Sequence, residues 1–80
     1  MGGSMKLREG WVEAENNTLV TRFWGKTSNP TKFTVAEWHD KRILVDPRGN
    51  GEALWICDTI KTAHKSLVDA GFESPWEVVC

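Results

Sequence analysis

The residues of this 80-residue chain that could carry out chemistry are two histidines and two cysteines: His39, His64, Cys57 and Cys80. An imidazole beside a carboxylate or a thiol can move protons or activate a nucleophile, and histidines together with cysteines can bind zinc. These four residues are scattered, and they match neither a zinc-ligand spacing nor a nucleophile–base motif. The pair His39-Asp40 has no serine or cysteine placed with it. We therefore expect no enzyme, no metal site and no cofactor.

His64 lies in the segment with the clearest helical pattern. On a wheel of about 100° per residue, the apolar side chains of residues 60–70 and His64 form one continuous arc, and the polar side chains occupy the rest. The Asp58-Thr59 pair can cap the start of a helix, and a glycine suited to end it follows at 71. We expect a helix over about 59–70, with His64 half-buried and hydrogen-bonded to a backbone carbonyl.

A short apolar run precedes this helix, and a second one follows it. Residues 53–57 combine Trp and Ile between turn-forming segments, which predicts a strand buried on both faces. Cys57 in this strand is then a small apolar core residue. After Pro75, residues 76–79 form a last short strand, which could add parallel to the 53–57 strand or pair as an edge elsewhere.

Residues 11–24 predict a first β-hairpin. Asn16 and Asn17 tolerate the positive φ values of a two-residue turn, which would pair Glu13 with Val20 and Trp11 with Arg22. One face of this hairpin has the composition of a core, with Val12, Ala14, Leu19, Thr21 and Phe23. The other face is mixed and includes Trp11, Glu13, Glu15, Val20, Arg22 and Trp24.

Residues 34–42 permit two interpretations. The run Thr34-Val35-Ala36-Glu37 fits a capping box, which would begin a short helix. Alternatively, a second hairpin turns at His39-Asp40 and pairs Glu37 with Arg42. The opposed charges and the β-branched residues favour the hairpin.

These elements predict the α+β class. We expect a small, mostly antiparallel sheet of four to six strands, rich in hairpins, covered on one face by a single helix. Residues 1–4 have the character of a cloning remnant, and residues 5–80 form a single domain. No apolar run is long enough to span a membrane, no signal peptide is visible, and two cysteines do not make a disulfide scaffold. A cytoplasmic location is expected.

The first functional hypothesis is a non-enzymatic protein-binding module, and it depends on the face that the helix leaves uncovered. Tryptophan and arginine are enriched at interface hot spots. The candidate surface consists of Trp11, Val20, Arg22 and Trp24. Such a module would be a regulator, adaptor or inhibitor docking on a larger protein, of a kind that phages and mobile elements encode, or it would form a homo-oligomer. In the opposing interpretation, a curled sheet buries both tryptophans, and Arg22 caps an indole ring by a cation–π contact.

The alternative hypothesis is nucleic-acid binding through the sheet. The segments Trp24-Gly25-Lys26 and Asp58-Thr59, within an order of strands followed by a helix, resemble the DNA-binding domains of plant ethylene-response factors. The order is also similar to that of the arm-binding domains of some tyrosine recombinases. Both families lay a three-stranded sheet in the major groove. The resemblance implies phosphate and base contacts from Arg22, Lys26, Lys32, Arg42 and Arg48. The net charge of −1 is lower than that of a typical nucleic-acid binder.

Overall fold

The computed structural model describes residues 4–16, 21–27 and 33–79. These segments contain seven strands and one helix. Their bounds in chain order are β1 Ser4–Leu7, β2 Trp11–Asn16, β3 Thr21–Lys26, β4 Thr34–His39, β5 Arg42–Val45, β6 Trp55–Cys57, α1 Ile60–Asp69 and β7 Trp76–Val79. Strands β2 to β6 form an antiparallel sheet in sequence order, and β1 pairs with β7 as a separate antiparallel ribbon. The predicted α+β class with a single helix on a mostly antiparallel sheet is confirmed.

The pairing of β1 with β7 in the ribbon was not predicted from the sequence. The strand at 76–79 is present, but its partner is β1 rather than the 53–57 segment, and no strand was predicted over β1. Ser4, which was placed in the cloning remnant, pairs with Val79 at the end of the ribbon. Next to the other end of the ribbon, the Arg8 guanidinium donates to the carbonyl oxygens of Ser74 and Trp76, each at 3.2 Å.

Helix α1 begins and ends as its sequence predicts. The Thr59 hydroxyl accepts a hydrogen bond from the Thr62 N–H at 3.1 Å and so caps the first turn. At the other end Gly71 takes a φ of +83°, and the N–H groups of Gly71 and Phe72 donate to the carbonyls of Val68 and Leu67. This pair of bonds is the Schellman motif, which a left-handed glycine makes possible.

The inner face of the five-stranded sheet is covered by two elements rather than one. Helix α1 packs over β5 and β6 and buries Ala63 and Leu67 completely. The ribbon covers β3, where Trp76 meets Trp24 with ring centroids 5.3 Å apart in an edge-to-face contact. Two cross-strand rows supply this face, one of Trp24, Ala36, Val45 and Trp55 and the other of Arg22, Trp38, Ile43 and Cys57.

The first hairpin has a different register from the predicted one. Glu13 pairs with Trp24 and Glu15 with Arg22, so the predicted pairs of Glu13 with Val20 and Trp11 with Arg22 are wrong. The predicted turn residue Asn17 lies outside the described residues. Because the two registers differ by an even number of residues, the described side chains of β2 and β3 keep the faces that the prediction assigned to them. The choice of which face is the core was wrong.

The second hairpin is confirmed over the short-helix alternative, with its turn one residue later than predicted. His39 pairs with Arg42, and the central turn residues are Asp40 and Lys41, with φ values of +47° and +68°. Glu37 consequently faces Leu44 rather than Arg42. Positive φ at both central positions defines a type I′ turn, whose twist matches that of the flanking strands.

Strand β6 is an edge strand, which corrects the prediction of a strand buried on both faces. It comprises Trp55–Cys57, and β5 is its one partner within the described part of the chain. Cys57 is buried against the helix as predicted, but Leu54 and Ile56 are 56% and 65% exposed. A run of apolar residues cannot by itself distinguish a central strand from an edge whose outer side chains face solvent.

The loop between β5 and β6 is organised by the buried carboxylate of Asp46. One carboxylate oxygen accepts from the N–H groups of Arg48 and Gly49, and the other accepts from those of Gly51 and Glu52. Gly49 combines a φ of +66° with a close approach to Phe33, since a Cβ there would lie 2.8 Å from that ring. Gly49 is therefore required by the backbone conformation and packing of this loop.

Replacing Lys41 by glycine should stabilise the domain. A non-glycine residue in the left-handed region costs roughly 1–2 kcal/mol, part of which glycine loses again through its greater freedom in the unfolded chain. The expected gain is about 0.5–1 kcal/mol in urea denaturation. Lys41→Ala is the matched control: it removes the same charge and keeps the Cβ, so it should show no such gain. An equal gain for both variants would contradict the turn assignment.

Replacing Asp46 by alanine should destabilise the domain by about 2–3 kcal/mol, because four backbone N–H groups lose a charged acceptor. Asp46→Asn, which keeps one acceptor oxygen, should lose less. Chemical denaturation measures the loss, and hydrogen exchange at Gly51 and Glu52 should accelerate in both variants. Unchanged exchange at these two amides would show that the carboxylate does not hold the loop.

Candidate functional site

The predicted protein-binding surface lies in the core of the domain. Trp24 is 2% exposed and Trp11 6% exposed, so neither indole is available to a partner in this fold. Arg22 is exposed on the same side, and Val20 lies outside the described residues. The expectation that this face is uncovered is therefore wrong, because the ribbon and the helix together cover it.

A chain of charged contacts explains why this face is buried in the observed register. The indole N–H of Trp24 donates to Glu13 at 2.7 Å, directly across the strand pair. The other oxygen of Glu13 contacts the Arg22 guanidinium at 3.4 Å, and Arg22 also reaches Glu15 at 3.4 Å. A buried indole N–H without an acceptor is costly. The observed register supplies that acceptor, whereas the predicted one places Val20 opposite Glu13.

The cation–π contact expected of Arg22 is made by another residue. The Lys26 ammonium lies 5.1 Å from the centre of the Trp11 ring and 5.8 Å from that of Phe33. Lys26 also contacts the Glu73 carboxylate at 3.0 Å. The positive charge at the end of β3 is thus engaged with both an aromatic cluster and a carboxylate.

The five basic residues of the nucleic-acid hypothesis do not form one described surface. Arg22 and Lys26 contact carboxylates, and Lys32 lies outside the described residues. Arg42 is exposed beside His39 at the turn of the second hairpin, and Arg48 is exposed in the loop after β5. Arg22 and Arg42 moreover have opposite orientations, since Arg22 lies in an inner row and Arg42 alternates with the inward-facing Ile43.

The histidines and the described cysteine have structural partners. The ring of His39 contacts Glu37, two residues earlier on the same strand, at 2.8 Å. The Cys57 sulfur lies 3.9 Å from the Ser66 hydroxyl. His64 is half-buried as predicted, but Nδ1 contacts the Ser74 hydroxyl at 2.7 Å rather than a backbone carbonyl. Cys80 lies outside the described residues.

No helix or strand of the described segments packs on the outer face of the five-stranded sheet. One cross-strand row crosses it from edge to edge and is called the outer row: Ala14, Phe23, Glu37, Leu44 and Ile56. Helix α1 and the ribbon both lie on the inner face, so neither covers this row. Four of its five members are apolar, and the single carboxylate is held by His39.

The outer row becomes more exposed toward β6. Phe23 and Leu44 are partly shielded by their neighbours, whereas Ile56 is largely exposed, and Leu54 is exposed next to it. Beside Leu44, a groove of about 420 Å³ lies between β4 and the 46–53 loop. Large exposed aliphatic side chains on an uncharged edge strand are unusual, because natural sheets protect such edges.

Sequence reasoning missed the outer row because it assigned Ala14, Phe23 and Ile56 to the core. The period-two alternation in β2 and β3 separated the two faces correctly, but an apolar face and a face with two large aromatics are both candidates for burial. A usable signal was present: each large aromatic can bury roughly 150–250 Å², more than the alanine and valine of the opposite face. The tryptophan-bearing face was therefore the better core.

The comparisons with known proteins add no relative. No family model matches the chain, and the searches of curated proteins and of solved structures found no significant match. Within residues 4–16, 21–27 and 33–79, no group of three or more His, Cys, Asp or Glu side chains is arranged to hold a metal ion. Helix α1 is too short and too polar to cross a membrane, and it is the one helix in the described segments.

Substitutions at Trp24 and Arg22 distinguish the buried residue from the exposed one. Trp24→Ala should cost about 3–5 kcal/mol, enough to unfold most of a domain this small, because it empties the core beside Trp76. Arg22→Ala should cost less than about 1 kcal/mol, as expected for exposed ion pairs. Thermal melts of both variants give the comparison, and comparable losses would contradict the difference in burial.

Proposed function

We propose that this domain is a non-enzymatic protein-binding module that docks on a larger protein through the outer row and the free edge of β6. The observation that carries the proposal is the exposure of Ile56 and Leu54 at an edge strand, next to Leu44 of the same open face. As a regulator, adaptor or inhibitor, such a module needs a surface and no reactive group. Its location is proposed to be the cytoplasm, a setting compatible with the buried free thiol of Cys57.

The edge of β6 defines the kind of partner that fits. Among the described strands only β5 pairs with β6, so one side of the β6 backbone is available to hydrogen-bond an added strand. Strand addition derives affinity from main-chain hydrogen bonds and specificity from the flanking side chains. The chain from 53 to 57 carries no charge that would repel an approaching strand. A partner segment of extended, apolar character matches this edge.

The outer row continues the apolar contact beyond the edge. A partner strand paired with β6 would place its own side chains beside Ile56 and Leu44, and burial of such aliphatic groups contributes roughly 25 cal/mol per Å². Glu37 is the carboxylate within the row, and its 2.8 Å contact with His39 gives it a polar partner when the row is covered.

The nucleic-acid alternative receives no comparable support. In the families that the sequence resembles, the sheet enters the major groove, whereas the outer face here carries the mainly aliphatic outer row with the carboxylate of Glu37, and Arg42 at its hairpin end. Phosphate contacts need basic side chains that can displace the counterions of the nucleic acid. Two of the five candidate residues, Arg22 and Lys26, are already paired with carboxylates. An absence of salt-dependent duplex binding at low ionic strength would agree with this assignment.

The test is partner capture from a lysate of the native host with surface variants. Ile56→Lys should abolish capture of the partner that binds the unmodified domain, since it places a charge at the centre of the proposed contact. Val79→Lys is the matched control: Val79 is an exposed valine at the end of β7, away from the outer row, and its variant should capture the partner normally. Both variants should melt close to the unmodified protein.

Two outcomes would overturn the proposal. One is retention of the partner by Ile56→Lys together with its loss in Val79→Lys, which would place the contact on the ribbon. The other is a dimer in light scattering that Ile56→Lys converts to a monomer, since the occupant of the edge would then be a second copy of this chain.

A further inference from the structure

A second concave surface lies on the opposite side of the domain, between α1 and the ribbon. Its floor is apolar and comprises Met5, Val68 and Val78, of which the two valines are 51% and 55% exposed. The cavity has a volume of about 450 Å³. That volume falls within the range of small-molecule sites, roughly 300–1,000 Å³. We call it the helix–ribbon groove.

The groove lies where the ribbon is only partly covered, since Met5 is partly buried against the core and Val78 is more than half exposed. Met5 and Val78 are directly paired across the ribbon, and so are Leu7 and Trp76, one step further along the same face. Trp76 is buried against Trp24, which anchors that end of the ribbon on the sheet. The Met5 and Val78 end lies beyond this contact and faces the exposed side of α1, leaving a gap between them.

Two lysines on the first turns of α1 give the rim of the groove a positive charge. Lys61 and Lys65 are four residues apart on the helix, and neither contacts a carboxylate within 4 Å among residues 4–16, 21–27 and 33–79. Like charges at this spacing disfavour the helix by a few tenths of a kcal/mol. Asp69, the one acidic residue of the lining, lies one turn beyond Lys65 and completes the far end of the rim.

His64 adds a fixed hydrogen-bond donor between the two lysines. Ser74 is 2% exposed, and its hydroxyl oxygen accepts from the Trp76 N–H at 3.2 Å. We assign the hydroxyl proton to the bond with Nδ1 of His64 at 2.7 Å, the acceptor that the described residues offer it, because a buried hydroxyl proton without an acceptor is costly. A histidine that accepts at Nδ1 carries its proton on Nε2.

This Nε2–H group has no hydrogen-bond partner within the described segments, and His64 lines the groove. An N–H donor flanked by two unpaired ammonium groups suits an anionic head group, and the neighbouring apolar floor suits a hydrocarbon tail. We propose that the helix–ribbon groove binds a small amphipathic carboxylate, with its head between Lys61, His64 and Lys65 and its tail along Val68, Met5 and Val78. This site is separate from the outer row, so it is independent of the proposed protein docking.

Octanoate is the probe that tests the site, followed by ¹⁵N and side-chain NMR titration of the unmodified protein. Octanoate should bind saturably and shift the resonances of His64, Val68 and Val78. Octan-1-ol, which has the same chain and no charge, should bind at least tenfold more weakly. Equal affinity of the alcohol and the carboxylate would overturn the anionic part of the proposal.

Variants of Lys65 separate charge from packing. Lys65→Met keeps most of the aliphatic stem and should weaken octanoate binding at least tenfold, whereas Lys65→Arg keeps the charge and should retain binding. Lys41→Met, at the distant hairpin turn, is the matched control and should bind octanoate normally. Because Lys65 is exposed on the helix surface, all three variants should remain folded, as thermal melts will verify.

Three results would overturn the proposal: octanoate-induced shifts confined to the outer row, unchanged affinity in Lys65→Met, or an absence of saturable octanoate binding. Binding of an acidic peptide in the groove without octanoate binding would also overturn it, since the occupant would then be a protein segment. None of these results affects the capture of a partner through Ile56.

Discussion

The buried indole of Trp24 is the constraint on which the rest of the structure depends. Its ring meets Trp76 edge to face, and its N–H donates to the carboxylate of Glu13. The first contact joins the five-stranded sheet to the ribbon. The described strands of these two units are not paired with one another. The second contact stabilises the observed register of β2 against β3, because it places the Glu13 carboxylate opposite the indole. A shift of one residue would place Val12 or Ala14 there and leave the buried donor unsatisfied.

The location of the open surfaces follows from this contact. Since the ribbon occupies the inner face over β3 and the helix occupies it over β5 and β6, the apolar residues of the opposite face have no described covering element. The charged side chains on the inner side lie around the aromatic core. Arg22 contacts two glutamates, and Lys26 contacts both the Trp11 ring and Glu73. Charges engaged in this way are poorly placed to recognise a nucleic acid. The domain therefore presents aliphatic side chains on one side and an amphipathic groove on the other.

The two open surfaces differ in the physical terms available for binding. The outer row offers contiguous aliphatic area and an unpaired strand edge, so hydrophobic burial and main-chain hydrogen bonds would contribute most of the affinity. The helix–ribbon groove offers little area, but it combines two unpaired ammonium groups with an oriented N–H donor. Electrostatic attraction and directional hydrogen bonding would therefore decide its selectivity. The orientation of His64 depends on Ser74 and Trp76, and thus on the same tryptophan pair that joins the ribbon to the sheet.

The sequence by itself determined the elements whose causes are local. The helix with its Thr59 cap and Gly71 end, the second hairpin, the strand at 76–79 and the burial of Cys57 all follow from periodicity and from turn and capping chemistry over a few residues. The two faces of the first hairpin also followed, because alternation along a strand does not depend on its partner. Tertiary structure alone decided which face is buried, that β6 is an edge, and that β1 pairs with β7. Those outcomes depend on contacts between residues distant in sequence, such as Trp24 with Trp76 and His64 with Ser74, which no local pattern encodes.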